Sequence, residues 1–201
     1  MKLLSSPASP FGSKVKLTIA ALGLSDRIDI EMIDTLGMNA AGQHPNPLGK
    51  IPCLIKDDGT AVFDSTVICD SLARLAGADW LVPDTHRETV LIQHAAATGM
   101  TEAALLVVYE GRMRDKGSQS APWLAMQHQK ITQTLDWFVD APPVIEDQPS
   151  LAAIALAAAL GYLDLRFEGV WRDSHPILVE WLAEFTRVLP AYEATKPRAA
   201  H

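Results

Sequence analysis

Residues 46–52 read Asn46-Pro47-Leu48-Gly49-Lys50-Ile51-Pro52, and they stand directly before two short apolar runs at 53–56 and 61–63. Between the runs lies Asp57-Asp58-Gly59-Thr60. An Asp-Gly pair between apolar runs is a strong signal for a β-hairpin, because both residues tolerate the backbone angles of a tight turn. This stretch therefore predicts a strand, a turn and a second strand, entered through a proline.

An amphipathic helix is predicted to follow the hairpin. Its apolar positions recur at helical spacing after Asp64-Ser65, at Ile68, Leu72 and Leu75. Ser65 is a favourable N-cap, Asp64 lies where the helix dipole favours an anion, and Gly77 ends the helix.

The residues before this stretch predict a βαβ unit. Residues 2–5 form a short strand, and Ser9-Pro10 opens a helix with serine as N-cap and proline in the first turn. Gly23 ends that helix in the left-handed conformation. Residues 28–32 alternate at period two, which indicates a second strand parallel to the first.

The second half of the chain has helical spacing almost throughout. We predict helices near 84–116, 121–141, 150–168 and 175–189. Breaks are expected at Gly117, Pro142-Pro143, 171–173 and Pro190, and Leu81-Val82-Pro83 is the expected linker. The chain is thus predicted to have an α/β domain with the order βαβ-ββα at 1–80, followed by an all-α domain at 84–201.

Composition narrows the class of protein. The 201 residues carry 17 Lys and Arg against 24 Asp and Glu, a formal net charge of −7, with no long basic cluster. This argues against nucleic-acid binding. The longest apolar run, 151–163, is too short to cross a membrane, and no hydrophobic leader is evident, so we expect no membrane span and a cytoplasmic location. Only Cys53 and Cys69 occur, without metal-ligand spacing, so we expect a reducing compartment and no metal.

The order βαβ-ββα, the stretch 46–52 and Asp64-Ser65 together resemble the glutathione-binding, thioredoxin-like half of a cytosolic glutathione S-transferase of the bacterial, serine-dependent type. The helical half is similar to that family too, most clearly in 150–156 and 161–164. The resemblance spans nearly the whole chain. It implies a detoxifying transferase with glutathione as co-substrate, a small hydrophobic electrophile as second substrate, and a homodimer. The first domain of one subunit would contact the helices at 84–116 and 121–141 of the other.

Ser9 is the catalytic candidate that the resemblance implies. Its hydroxyl would donate a hydrogen bond to the sulfur of glutathione and so favour the thiolate, which is the nucleophile. Ser6 is the second choice, because Ser5 falls in the predicted strand and Ser13 inside the helix. The first tyrosine is Tyr109 and no cysteine lies in the first helical turn, which disfavours the tyrosine- and cysteine-dependent branches. The alternative role for Ser9 is that of a plain helix cap.

The resemblance also implies five glutathione-binding residues. Pro52 would follow a cis peptide bond, although the usual X–Pro bond is trans, and Ile51 would offer its backbone to the tripeptide. Lys50 would pair with the glycine carboxylate or remain a solvated loop lysine. Asp64 would receive the γ-glutamyl ammonium, and Ser65 would bind the carboxylate beside it.

The electrophile pocket is the part of the predicted site that the sequence specifies least. Phe11, Tyr109, Met113 and Trp171 are candidates for its walls, with Met100 as a further possibility, although residues at helical spacing are more often core than pocket. The same thiolate could serve an isomerase, a dehalogenase or a peroxidase. A non-catalytic binding or regulatory protein with this fold is the remaining alternative.

The chain departs from the family at one helix start. Family members usually have an acid three residues after the N-cap serine of the buried helix, and here Ser150 is followed at that place by Ala153. The capping box is therefore incomplete, and restoring an acid there is predicted to stabilise the fold.

Overall fold

The computed structural model describes residues 1–34 and 42–199. Its first part is a four-stranded sheet with strand order β2-β1-β3-β4. The strands are β1 (Lys2–Ser5), β2 (Asp29–Met32), β3 (Cys53–Ile55) and β4 (Ala61–Val62). β2 is parallel to β1, and β1-β3 and β3-β4 are antiparallel. Two helices, α1 (Pro10–Ala21) and α2 (Ser65–Ala76), complete the predicted order βαβ-ββα.

Local sequence accounts for most of these elements. Ser9 caps α1 with Pro10 as its first residue, Gly23 follows the helix at φ 66°, and Gly59 makes the hairpin turn at φ 85°. All three features are as predicted. The sequence pattern was wrong about Leu75, which is 47% exposed rather than part of the core stripe of α2. An irregular connection is also predicted from the Gly, Pro and Asn residues at 37–50, and its first part, 37–41, lies outside the described residues.

The rest of the chain is helical. The helices are α3 (Arg87–Met113), α4 (Ala121–Asp140), α5 (Leu151–Phe167), α6 (Trp171–Ser174), α7 (Pro176–Val188) and α8 (Ala191–Thr195). Residues 171–173, predicted as a break, form the short helix α6, and α8 was not predicted. Short 3₁₀ turns at Asp79–Leu81 and Asp84–His86 precede α3. The predicted fold class is confirmed, and the domain limits 1–80 and 84–201 stay predictions.

Helix α5 is the centre of the helical part. Every residue from 151 to 163 is buried, and the helix packs against α3 and α1. Ser150 caps it by accepting a hydrogen bond from Ala153 N at 3.4 Å. One helical stretch, Asp79–Met113, is long and apolar enough to cross a membrane by length and composition alone, a test that core helices of soluble proteins also pass. Here α3 packs along α5 and α4, which buries one side of it, while apolar residues such as Leu91 and Ile92 stay exposed.

Candidate active site

The strand register brings three predicted motifs to one edge of the sheet. Leu4 pairs with Cys53, so the carboxyl end of β1 adjoins the amino end of β3. Val62 pairs with Leu54, so the carboxyl end of β4 reaches the same edge. The loop before Ser9, the Ile51-Pro52 peptide and Asp64-Ser65 follow or precede these strand ends directly. The amino ends of α1 and α2 therefore open at a common edge, and helix amino ends favour anions.

Ser9 lies at the amino end of α1 with most of its surface buried. Its backbone is extended, and its Oγ accepts a hydrogen bond from Gly12 N at 3.0 Å. A hydroxyl that accepts with a lone pair keeps its own proton for another partner. Ser5 is fully buried in β1, and Ser13 is fully buried within α1, where they were predicted. Ser9 can therefore cap the helix and donate to a ligand at the same time.

The Ile51-Pro52 peptide bond is cis, as the resemblance implied. Pro52 is buried, Ile51 is half-buried and the Lys50 side chain is exposed. The backbone of Ile51 thus lies at the entrance of β3, next to the end of β1. Whether Lys50 meets a carboxylate there stays a prediction.

Asn46 organises the loop that leads to this peptide. It is 3% exposed, and its Oδ1 accepts from Leu48 N while its Nδ2 donates to Lys50 O, both at 2.9 Å. Gly49 N donates to the Asn46 carbonyl, which closes the turn. No separate role was predicted for Asn46, although an asparagine within a Pro- and Gly-rich stretch is typical of a loop held by side-chain bonds.

The cap of α2 differs from the prediction. Asp64, not Ser65, is the N-cap, and its Oδ1 accepts from Thr66 N at 3.0 Å and Val67 N at 3.3 Å. Ser65 is the first helical residue and is 3% exposed. Aspartate is as good a cap as serine, and here it comes one residue earlier. Both capping bonds end on Oδ1, so Oδ2 of Asp64 is the atom that can meet a ligand cation.

A buried polar cluster behind this edge was not predicted. Lys14 on α1 is 3% exposed, and its Nζ lies 3.1 Å from Nε2 of His94 on α3. Burial lowers the pKa of Lys14, and nearby Cys69 and Asp64 oppose that shift. Burial and the Lys14 cation lower the pKa of His94 to about 4. The histidine is therefore neutral at pH 7 and accepts from the lysine, an arrangement that couples α1 to α3.

The predicted pocket residues divide into two groups. Tyr109 is 43% exposed and Met113, one turn later at the end of α3, is 69% exposed, while Phe11 is half-buried beside the start of α1. Trp171 is 5% exposed and its Nε1 donates to Asp164 at 2.9 Å. Met100 is 1% exposed in the core. Phe11, Tyr109 and Met113 are thus the candidates with exposed surface, Trp171 is buried among the outer helices, and the predicted pocket role of all four stays a prediction.

Two cavities lie apart from Ser9. One of about 460 Å³ lies between α2 and the start of α3, lined by Val67 and Leu91 among others. Another of about 360 Å³ lies among α4, α5 and α6 and includes Trp171. Across residues 1–34 and 42–199, no group of three or more His, Cys, Asp or Glu side chains could hold a metal ion.

Comparisons with known proteins agree with this architecture. The family model for the glutathione S-transferase N-terminal domain matches residues 8–75, and that for the C-terminal domain matches 121–184. The uncharacterized GST-like protein YibF of Escherichia coli (strain K12) is 33% identical over 209 residues and 100% of both chains.

Solved structures give the same result. A glutathione transferase family member from Pseudomonas fluorescens with bound glutathione is 33% identical, with a TM-score of 0.89 over 98% of this chain and 99% of that one. A structure from the same source organism with bound S-(propanoic acid)-glutathione is 32% identical, with a TM-score of 0.86 over 99% and 100% of the two chains. The chain belongs to the glutathione S-transferase family.

Proposed function

We propose that the protein is a glutathione transferase in which Ser9 stabilises the thiolate of glutathione for attack on a hydrophobic electrophile. The observation that carries this proposal is the hydrogen bond from Gly12 N to Ser9 Oγ. Because the hydroxyl already accepts from the helix, its proton is the part left for the sulfur. The amino end of α1 adds a positive dipole end at the same place.

The energy required is within reach of such a site. A thiol with a pKa near 8.5 is only a few per cent thiolate at pH 7, and lowering the pKa by about two units takes roughly 2.7 kcal/mol. Hydrogen bonds to charged groups contribute about 1.5–3 kcal/mol. One hydroxyl donor together with a helix amino end therefore accounts for the required shift.

The glutathione backbone would lie along the sheet edge. Ile51 would pair with the peptide groups, Lys50 would meet the glycine carboxylate, and Asp64 Oδ2 with Ser65 would receive the γ-glutamyl end. Glutathione bound in one Pseudomonas fluorescens structure and S-(propanoic acid)-glutathione bound in the other support glutathione and a glutathione thioether as ligands of such a site. Phe11, Tyr109 and Met113 would form the walls around the electrophile.

The protein is proposed to act as a cytoplasmic homodimer in detoxification. Exposed apolar side chains on α2 and the start of α3 support the dimer: Val67 is 51% exposed, Leu91 37% and Ile92 52%. Val67 and Leu91 border the cavity of about 460 Å³, and Ile92 follows Leu91 on the same helix, which matches the contact predicted between the first domain and the long helix. Sedimentation of a 21.8 kDa species at micromolar concentration would contradict the dimer.

The test compares the wild type with Ser9→Ala and with Ser6→Ala as the matched control. Calorimetry should give similar glutathione affinities for all three, because Ser9 favours only the ionised thiol. The ultraviolet absorbance of the bound thiolate should titrate at a higher pH in Ser9→Ala alone, and turnover of a chlorodinitrobenzene should fall with it. Identical titrations in wild type and Ser9→Ala would reduce Ser9 to a helix cap.

The same assays separate the alternatives. Thiolate formation with turnover of a peroxide, a halogenated alkane or an isomerisable alkene, but not of the aromatic chloride, would identify a different reaction of the same site. Glutathione binding without any turnover would identify a binding or regulatory protein.

A further inference from the structure

Two arginines flank Tyr162 at the carboxyl ends of α3 and α5. The Arg166 guanidinium carbon lies 5.6 Å from the centre of the Tyr162 ring, and Arg166 Nε is buried without a hydrogen bond. Burial raises the pKa of Tyr162, while Arg166 and Arg112 oppose the rise, so both guanidiniums act on the phenol. Tyr109, 43% exposed, belongs to the same group of side chains.

These two arginines differ from their neighbours. Arg114 forms an ion pair with Glu110 at 2.7 Å, and Arg172 forms one with Asp164 at 2.6 Å. Among the residues that the structure describes, neither Arg112 nor Arg166 has a carboxylate within 4.0 Å. In a chain with a formal net charge of −7, two guanidiniums without carboxylate partners are a notable local excess of positive charge.

The face of α5 that carries Tyr162 also meets the start of α1. Ala158 lines a small cavity together with Pro10 and Phe11. Tyr162 follows Ala158 by four residues, so it lies one turn further along the same face of α5. Phe11 is two residues from Ser9, so this face runs from the start of α1 toward the cluster.

We propose that the electrophile carries a carboxylate, which Arg112 and Arg166 bind while its apolar body packs on Tyr109. This deepens the proposed function and rests on it. The planar guanidinium matches a carboxylate with paired hydrogen bonds, and such charge-assisted bonds are stronger than neutral ones. Arg166 Nε, buried and without a partner, supplies one donor whose desolvation is otherwise uncompensated.

The reaction used for the test is the same for a charged and a neutral substrate. The glutathione thiolate attacks the ring carbon that bears chlorine in a chlorodinitrobenzoate, the C–S bond forms, and the C–Cl bond breaks. Chloride leaves with the bonding electrons, and the thiol proton goes to solvent. The methyl ester of the same benzoate reacts identically but lacks the charge, so the two substrates differ only in what the arginines would recognise.

The experiment measures kcat/KM for both substrates, each divided by its uncatalysed rate constant with glutathione. The variants are Arg112→Gln, Arg166→Gln and Arg166→Lys, with Arg187→Gln on α7 as the matched control. The wild type should prefer the acid. Each glutamine variant should lose roughly 10- to 100-fold in kcat/KM for the acid and keep its rate with the ester. Arg166→Lys should recover part of the loss, and Arg187→Gln should change neither.

Three results would overturn the inference. Equal losses for acid and ester would mean that the arginines support the fold or the thiolate rather than a carboxylate. No preference for the acid in the wild type would mean that the pocket takes neutral electrophiles, and the proposed transferase function would survive. If neither substrate is turned over although glutathione binds, the proposed function fails and the inference falls with it.

Discussion

The buried His94 should make stability depend on pH in a narrow window. In the folded protein its pKa is lowered to about 4, by burial and by the Lys14 cation whose Nζ lies 3.1 Å from Nε2. In the unfolded chain the ordinary value of about 6.5 applies. The unfolded state therefore binds a proton as pH falls below about 6.5, while the folded state does not until about pH 4. Stability conferred by the neutral imidazole is complete above this window and is lost as pH falls through it.

The size of the effect follows from the two pKa values. Between pH 7.5 and pH 5, uptake of this one proton by the unfolded chain lowers the unfolding free energy by about 2 kcal/mol. The full difference between the two pKa values corresponds to about 3 kcal/mol. For a chain of this length, 2 kcal/mol corresponds to a shift of roughly 4–8 °C in Tm. His94→Gln removes the titrating group and keeps an acceptor for Lys14, so its unfolding free energy should vary about 2 kcal/mol less across the same interval.

The assay is urea denaturation followed by tryptophan fluorescence at both pH values and at one fixed protein concentration. His86→Gln is the matched control, because the same substitution is made at a histidine whose side chain is exposed. The carboxylates contribute equally to wild type and variants and cancel in the comparison. A wild type and a His94→Gln variant with the same pH dependence would refute the reasoning, since the imidazole would then be protonated in the folded protein.

Three further changes follow from close contacts in the structure. Asn46→Ala should raise KM for glutathione with little change in kcat, because the loop that carries the cis peptide loses both side-chain bonds at 2.9 Å; an unchanged KM would contradict this. Gly12→Ala should lower the urea midpoint, because the new Cβ would collide with Ser5 Oγ, and the double variant Ser5→Ala/Gly12→Ala should recover part of the loss. Ala153→Asp should raise the unfolding free energy by about 1 kcal/mol, because it completes the capping box. Ala152→Asp is equally buried but cannot make that bond, so it should lower the unfolding free energy.

The sequence predicted those parts of the fold that depend on local backbone chemistry. Ser9-Pro10 begins α1, Gly23 and Gly77 follow helices in the left-handed conformation, and Asp58-Gly59 makes the hairpin turn. Each of these residue types has a conformational preference that few others share. The same reasoning placed Ser9 at a helix amino end, which is confirmed, whereas its contact with glutathione stays a prediction.

Features set by tertiary packing were not predictable in this way. Asp64 and Ser65 are both good caps, and only the path of the chain after β4 selects Asp64. Trp171 has the size of a pocket wall, but its bond to Asp164 holds it among the outer helices. Lys14 occupies an ordinary position in an amphipathic helix, and its burial depends on the distant His94. Local rules cannot choose between the two caps, and the partners of Trp171 and Lys14 lie on other helices.

The proposed role of Ser9 would use two parts of one hydroxyl. Its lone pair accepts from Gly12 N and closes the first turn of α1, and this bond holds the oxygen in place. The proton, which the helix does not need, would then be available to a sulfur without further ordering of the side chain. A Cβ added to Gly12 would lie 3.2 Å from Ser9 Oγ and would also collide with Ser5 Oγ. The glycine three residues after the serine therefore leaves the room for the hydroxyl on which the proposal depends.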